Sequence, residues 1–297
     1  MLTRQLRIGP QEAERTVESL LRGELGLSQG LIARLKRRPL GIRCNGQRVF
    51  TNARLAEGDL LEAEVGDWPV KRALPMEYPL SILYEDAYLL VLDKPAGLAV
   101  HASTRSPGEL TLENALAYYL PPEAGAHPVS RLDRGTTGVM TWAKNGYMHA
   151  LLRRQVHTPD FFKAYTAIAA GSVFPAHGHI RLPIGFAPGS HYQRAIDPQG
   201  QPAHTEYFVL ARGGGYTFLR LIPHTGRTHQ LRVHMAALGY PLAGDWLYGQ
   251  PSLAIARPAL HASHLSLRHP LTGERLSLEA PLPPDMARLL FSSGITC

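Results

Sequence analysis

The sequence predicts an α+β protein, with a small helix-then-strand unit ahead of a larger part built mainly on strands. Runs with strand character outnumber helical periodicities and do not alternate regularly with them, which argues against a doubly wound parallel sheet. The chain has 297 residues, more than one small core usually absorbs. Between Trp68 and Pro79 three prolines (Pro69, Pro75, Pro79) stand among charged residues, the pattern of a linker. The expected division is residues 1–67, a linker over 68–79 and a larger domain over 80–297.

The elements follow in order. Val17, Leu20, Leu21 and Leu25 recur at near-helical spacing, and Ser28 stands where a cap would start a second short helix reaching Lys36. After Pro39, short alternating runs flank the turn Asn45-Gly46, and Gly58-Asp59 precedes the strand-like Leu60 to Val65. Further on, Tyr88 to Leu92, Tyr165 to Ala170 and Tyr216 to Ile222 read as strands, and Gly213-Gly214-Gly215 as a tight turn. Met148, Leu151, Leu152 and Val156 mark a helix within Asn145 to His157, ended before Pro159. Another covers Thr228 to Leu238, with Leu231, Met235 and Leu238 on one face, Thr228 as its cap and Gly239 just past its end.

Composition narrows the function classes. Apolar residues make up 44% and charged residues 19%, enough to build a buried core and too apolar for wholesale disorder. The 31 basic and 24 acidic residues leave a net charge of +7, which suits a polyanionic partner. From Leu31 to Ala56 the chain carries Arg34, Lys36, Arg37, Arg38, Arg43, Arg48 and Arg54 and no acid. A solvated basic face explains a charge run by itself. On a compact helix-then-strand unit, the absence of any acid points towards a phosphate-contacting surface led by Arg34, Lys36, Arg37 and Arg38.

The two cysteines, Cys44 and Cys297, build neither a disulfide framework nor a cysteine zinc site. No apolar signal core follows Met1, and no segment approaches the roughly 20 apolar residues of a membrane span. The expectation is a cytoplasmic, monomeric protein with no membrane contact. No phosphate-binding loop, dinucleotide glycine pattern or nucleophile elbow occurs. Among the fourteen histidines, the pairs His177/His179, His229/His234 and His261/His264 lack the helical spacing and glutamate of a metalloprotease. Neither a catalytic metal nor a cofactor is expected, and most histidines read as polar surface groups or nucleic-acid contacts.

Three polar islands interrupt apolar sequence. In Arg131-Leu132-Asp133-Arg134-Gly135-Thr136-Thr137-Gly138 an aspartate lies between arginines, which favour its ionised form and suit a nucleophile more than a general acid. The same aspartate equally suits a turn cap paired with Arg131 or Arg134. In Thr225-Gly226-Arg227-Thr228-His229-Gln230-Leu231-Arg232-Val233-His234, Arg232 falls in the first helical turn. A cation there opposes the helix dipole by about 0.3–1 kcal/mol, a sign that it faces an anion, although a water-screened surface arginine fits as well. In Lys163-Ala164-Tyr165-Thr166-Ala167, Tyr165 begins a strand or serves as a core tyrosine.

These runs, together with Asp93-Lys94-Pro95-Ala96-Gly97-Leu98-Ala99-Val100-His101 and Gly239 through Asp245 to Tyr248-Gly249, closely resemble the RluA-type RNA pseudouridine synthases. Order and spacing agree from about residue 80 to 281. Residues 14 to 67 resemble the small RNA-binding domain of ribosomal protein S-four, the αL motif, through Leu27-Ser28-Gln29-Gly30-Leu31-Ile32, Arg43-Cys44-Asn45-Gly46 and Leu55-Ala56-Glu57-Gly58-Asp59. The stretch Lys36-Arg37-Arg38-Pro39-Leu40-Gly41 departs from that pattern. Two positions depart from the synthase pattern: Ser130 stands where histidine is usual, and Thr137 where serine is common.

The resemblance implies a catalytic domain with a mixed, largely antiparallel sheet, preceded by a small α/β RNA-binding domain, and isomerisation of uridine in RNA without cofactor. Asp133 would be the essential carboxylate, Arg232 its ion-pair partner, and Tyr165 the ring that stacks on the flipped uracil and helps remove the proton from carbon 5. Asp133 could attack the ribose anomeric carbon, promote glycal formation or act at the uracil ring. Because a stacked base cannot reach a buried aspartate, the nucleotide must be extruded, with Arg131 filling the gap or holding its phosphate. Arg134, Arg227 and His229 would line the RNA channel. Large-subunit ribosomal RNA is the first expected target and transfer RNA the alternative. A non-catalytic RNA-binding or ribosome-assembly factor is a further reading, and a nucleoside or glycoside hydrolase, which needs paired carboxylates, fits less well.

Overall fold

A computed structural model describes residues 2–67, 72–102 and 108–296. The start of the expected linker (68–71) and Cys297 lie outside the described residues. Thr16 and Ser28 each accept a hydrogen bond from the backbone N–H three residues on, and so start helices α1 (Val17–Gly23) and α2 (Gln29–Lys36). Around them lie strands β1 (Thr3–Arg7), β2 (Ile42–Cys44), β3 (Gln47–Arg48) and β4 (Leu60–Glu64). They form an antiparallel sheet in the order β1-β4-β2-β3. Asn45 and Gly46 both take positive φ, 52° and 78°, the conformation that a two-residue hairpin requires. Leu20, Leu21, Leu35 and Leu61 are fully buried in the core of this unit. Strand β1 has no apolar run of its own; its backbone is claimed by β4, which a sequence reading cannot foresee.

The remaining chain supplies β5 (Ile82–Glu85), β6 (Leu89–Lys94), α3 (Leu112–Tyr119), β7 (His127–Pro128), β8 (Thr137–Ala143), α4 (Gly146–Gln155), β9 (Phe161–Ala170) and β10 (His177–Ile180). It continues with β11 (Ile184–Phe186), β12 (Arg194–Ile196), β13 (Thr205–Gly213), β14 (Tyr216–Pro223), α5 (Gln230–Ala237), β15 (Leu260–Arg268), β16 (Arg275–Glu279) and α6 (Pro284–Ser292). Ten strands join one sheet in the order β10-β13-β14-β9-β15-β8-β6-β5, with β16 on β15 and β7 on β8. Its pairings are antiparallel except β8 with β15. The sheet is therefore mixed and largely antiparallel, as the sequence resemblance implied. All seven residues of β8 are buried, which explains a run with no polar alternation.

Several boundaries differ from expectation. Tyr165 lies within β9, which starts at Phe161, because β15 pairs back to that residue. Thr228 does not cap α5; His229 occupies the cap position in a left-handed conformation with no side-chain cap bond. The other helix behaves as read, with Asn145 Oδ1 accepting from the Met148 N–H at 2.8 Å. Arg72, in the proline-bearing segment, donates to the carbonyls of Ala117, Leu120 and Pro121 at the end of α3. Tyr147 of α4 packs into the N-terminal cluster and donates its hydroxyl to the Leu25 carbonyl at 2.6 Å. Among the described residues no helix is long and apolar enough to cross a membrane.

Candidate active site

Leu132, Tyr165 and Leu231 belong to one buried cluster. Packing those apolar groups brings their neighbours together: Asp133 follows Leu132, and Arg232 follows Leu231. The Asp133 loop is fixed through its backbone. The Thr136 N–H donates to the Asp133 carbonyl at 3.0 Å, closing a turn, and the Gly97 N–H donates to the Arg134 carbonyl at 2.9 Å. Lys94, with no solvent exposure, donates Nζ to the carbonyls of Pro95 and Arg134 at 2.7 and 3.2 Å. Burial pushes this ammonium down to about 8, while Asp133 pulls the other way.

Gly138 then lets β8 run close beside β15. Its φ is +108°, and a Cβ there would lie 2.2 Å from the Ala262 carbonyl oxygen. Beside it, the Thr137 hydroxyl meets His261 Nδ1 at 2.9 Å, a bond that serine in the same place could also make.

Arg232 is the centre of the charge arrangement. Its Nη1 donates to Asp133 Oδ2 at 3.2 Å. Its Nε and Nη2 form a two-point pair with Asp245, at 2.7 and 2.8 Å. The Asp245 side chain is fully buried, that of Arg232 is 7% exposed and that of Asp133 28%, so the pair forms a rigid floor under a carboxylate still open to the cleft. Burial opposes the charge on Arg232, but Asp245 and then Asp133 outweigh it and raise its pKa. Tyr248 sits over the same guanidinium, 5.0 Å from Cζ to the ring centroid.

Asp133, Tyr165 and Arg232 line a cleft of about 1910 Å³ together with Arg131 and Arg227. Burial, and next the charge of Asp133, push the Tyr165 phenol well above its ordinary range, so it remains protonated at neutral pH. His229 stands closer to this centre than a channel wall requires: its Nε2 is 3.9 Å from Asp133 Oδ2, and its Nδ1 meets the Tyr248 hydroxyl at 2.7 Å. Burial lowers its pKa against the opposing pull of Asp133. Its φ of 57° is uncommon for a residue with a side chain and costs on the order of 1–3 kcal/mol.

The structure treats the remaining candidates unequally. Arg131 is exposed on the cleft wall. The Arg134 side chain makes a two-point pair with Glu109, and Arg227 donates Nε to the Pro202 carbonyl at 3.1 Å. In the N-terminal run, Arg34 and Arg37 are exposed on and just after α2. Lys36 lies 3.5 Å from Glu18 and Arg38 3.1 Å from Glu64, so acids distant in sequence meet a stretch that contains none. Residue-by-residue reasoning gave no role to Lys94, Asp245 or Tyr248, although all three stand in motif runs; the burial of Lys94 and Asp245 and the placing of Tyr248 against Arg232 are tertiary properties.

A carboxylate held by a buried arginine beside an aromatic ring in a basic cleft suits covalent or electrostatic chemistry on a flat, polar group drawn from a polyanion. Residues 88–237 match the family described as RNA pseudouridylate synthase. The chain belongs to that family. Its relatives include the Bacillus subtilis protein YjbO, named an uncharacterized RNA pseudouridine synthase, 38% identical over 90% of this chain and 96% of that protein. Ribosomal large subunit pseudouridine synthase D of Pseudomonas aeruginosa is 41% identical over 78% of this chain and 76% of its own. Human RNA pseudouridylate synthase domain containing 4 superposes with a TM-score of 0.60 at 28% identity, covering 73% of this chain and 94% of that one. The protein is thus an RNA pseudouridine synthase, an isomerase whose substrate is RNA, in accord with the resemblance to RluA-type synthases. In this synthase the family match holds Asp133, Tyr165 and Arg232 and ends before Asp245 and Tyr248.

Proposed function

We propose that this synthase isomerises uridines of large-subunit ribosomal RNA, with Asp133 as its catalytic carboxylate. The observation that carries the catalytic assignment is the 3.2 Å contact between Arg232 Nη1 and Asp133 Oδ2 on the floor of the cleft that Tyr165 also lines. Arg232 orients Asp133 and sets a cation against it, since a two-point pair to Asp245 leaves the guanidinium one remaining direction. Tyr165 stacks on the extruded uracil, a contact worth about 1–3 kcal/mol per base. As a phenol with a raised pKa it serves proton removal from carbon 5 only through a hydrogen-bonded relay. Arg131 holds the flipped nucleotide, and Arg134, Arg227 and His229 contribute to the channel.

Residues 1–67 act as the S-four-like RNA-binding domain, joined through the segment 68–79 to a catalytic domain over 80–297. Arg34, Lys36, Arg37 and Arg38 contact phosphates there, adding affinity without choosing the base. The enzyme works as a monomer in the cytoplasm. The ribosomal target rests on relatives named for the large subunit. Incubating unmodified ribosomal and transfer RNA with the wild type and Asp133→Asn, then mapping pseudouridine, tests the reading. Product from large-subunit RNA with the wild type alone is expected. Equal product from both proteins would remove Asp133 from the mechanism, and product confined to transfer RNA would replace the target.

A further inference from the structure

Away from the cleft floor, the edge of the large sheet carries a cluster that the isomerisation does not use. His177 and His179 alternate on edge strand β10, and strand pairing sets His179 opposite Glu206 and His177 opposite Phe208 of β13. His204 lies two residues before Glu206, and the His224 N–H donates to the His204 carbonyl at 3.0 Å as β14 ends. By the two-residue period of a strand, His177, His179, His204, Glu206 and His224 therefore emerge on one face of three adjacent strand ends. Register alone makes this grouping, whatever the side-chain rotamers.

The side chains converge accordingly. One ring nitrogen from each of His179, His204 and His224 lies within 4.8 Å of the others. His179 Nδ1 and His204 Nε2 are 3.1 Å apart, close to the spacing of about 3.4 Å between two ligands on one tetrahedral zinc. Glu206 Oε1 accepts from His177 Nε2 at 2.9 Å and Oε2 from His224 Nε2 at 3.0 Å, so a carboxylate stands beside the three imidazoles, ready to accept the N–H of a ligating ring once His224 has turned. The His204 and His224 rings are stacked at 4.2 Å, so ligation requires one of them to turn, which the exposed His224 can do without repacking a core.

We propose that His179, His204 and His224 bind one divalent transition-metal ion, zinc in the first instance, with Glu206 orienting the site. Three imidazoles and water suit zinc, whereas magnesium and calcium prefer oxygen ligands. The ion ties together the ends of β10, β13 and β14. His224 opens the segment that carries Arg227 and His229 to the cleft, so the clip also steadies that wall.

The test uses untagged full-length protein, stripped with a chelator, dialysed and titrated with zinc chloride at pH 7.5 by calorimetry, with melting followed in parallel. Expected are one ion per chain, affinity reduced by at least roughly 100-fold in the double variant His179→Ala/His204→Ala, and a zinc-dependent rise in Tm of several degrees in the wild type only. Both positions lie at the sheet edge, and equal melting of variant and wild type without zinc verifies the fold. Absence of saturable one-to-one binding by the wild type, binding by the variant as tight as the wild type, or a wild-type Tm that zinc leaves unmoved would each overturn the proposal.

Discussion

Asp133 shares the Arg232 guanidinium with a second carboxylate, and the two differ in accessibility: Asp245 is fully buried, while Asp133 opens to the cleft. The buried partner fixes the arginine so that the open one meets a cation already in place. Asp245→Asn keeps the shape but removes the charge that offsets burial of Arg232. Such a change inside a buried pair costs on the order of 3–5 kcal/mol when nothing compensates; with Asp133 still present, about 1–3 kcal/mol is expected. Thermal melts should show that destabilisation, and kcat for pseudouridine formation should fall roughly 10- to 100-fold while RNA affinity holds. A variant with unchanged kcat would mean that Arg232 needs no support from Asp245. The motif run containing Asp245 was legible in the sequence; its partner, 13 residues away across a helix and a turn, was not.

At the scale of elements, the site depends on the parallel contact between β8 and β15 that follows the Asp133 loop. Gly138 permits it: an alanine there would need φ of +108° and a Cβ in collision with the Ala262 backbone. Gly138→Ala is therefore expected to destabilise the protein by about 3 kcal/mol or more, read as a lower urea midpoint and poor soluble yield. A variant with a wild-type midpoint would show that the two strands can separate freely. The helix capped by Ser28 was readable because a side-chain cap is a local device, and α4 because its apolar residues recur at helical spacing. The start of α5 was not, because His229 is held left-handed by Tyr248 and the cleft rather than by a cap.

For the whole molecule, stability should depend on pH through two buried histidines. His234 and His261 are 0% and 1% exposed. In each, a neutral tautomer satisfies both ring nitrogens: Nε2–H donates to the carbonyl of Leu182 or Ala280, and Nδ1 accepts from the hydroxyl of Thr205 or Thr137. Burial lowers both pKa values. The unfolded chain then binds more protons than the folded one once pH drops below about 6.5. Stability should consequently fall on acidification through that point, by up to about 1.4 kcal/mol per pH unit for each group. Melts between pH 7.5 and 5.5 should show the decline, and His261→Asn should flatten it; an unchanged slope would remove His261 from the account.

The N-terminal basic run acts at the same scale. Because Tyr147 and Leu271 pack into the N-terminal cluster, deleting residues 1–67 would expose them. Neutralising Arg34, Lys36, Arg37 and Arg38 to glutamine in the full chain is the cleaner test. It should weaken RNA binding and lower the slope of log affinity against log salt by roughly 0.7–0.9 for each phosphate that the protein no longer neutralises. An unchanged slope would mean that the surface does not meet phosphate.

The sequence by itself determined the class of fold, helices α1, α2, α4 and α5 but not α3 or α6, the β2–β3 hairpin and the three runs that meet in the cleft. Those features rest on local periodicity, capping and turn chemistry, each contained within a few residues. The resemblance implied that Asp133 pairs with Arg232, 99 residues away, where the residues alone left Arg131 and Arg134 open; the tertiary structure makes that contact and adds Asp245 as the second carboxylate on the same guanidinium. It also supplied Glu18 and Glu64 to an acid-free stretch and gathered four histidines on one sheet edge. The physical reason is that burial and strand register, which set charge pairing and side-chain direction, are properties of the packed chain and not of any segment within it.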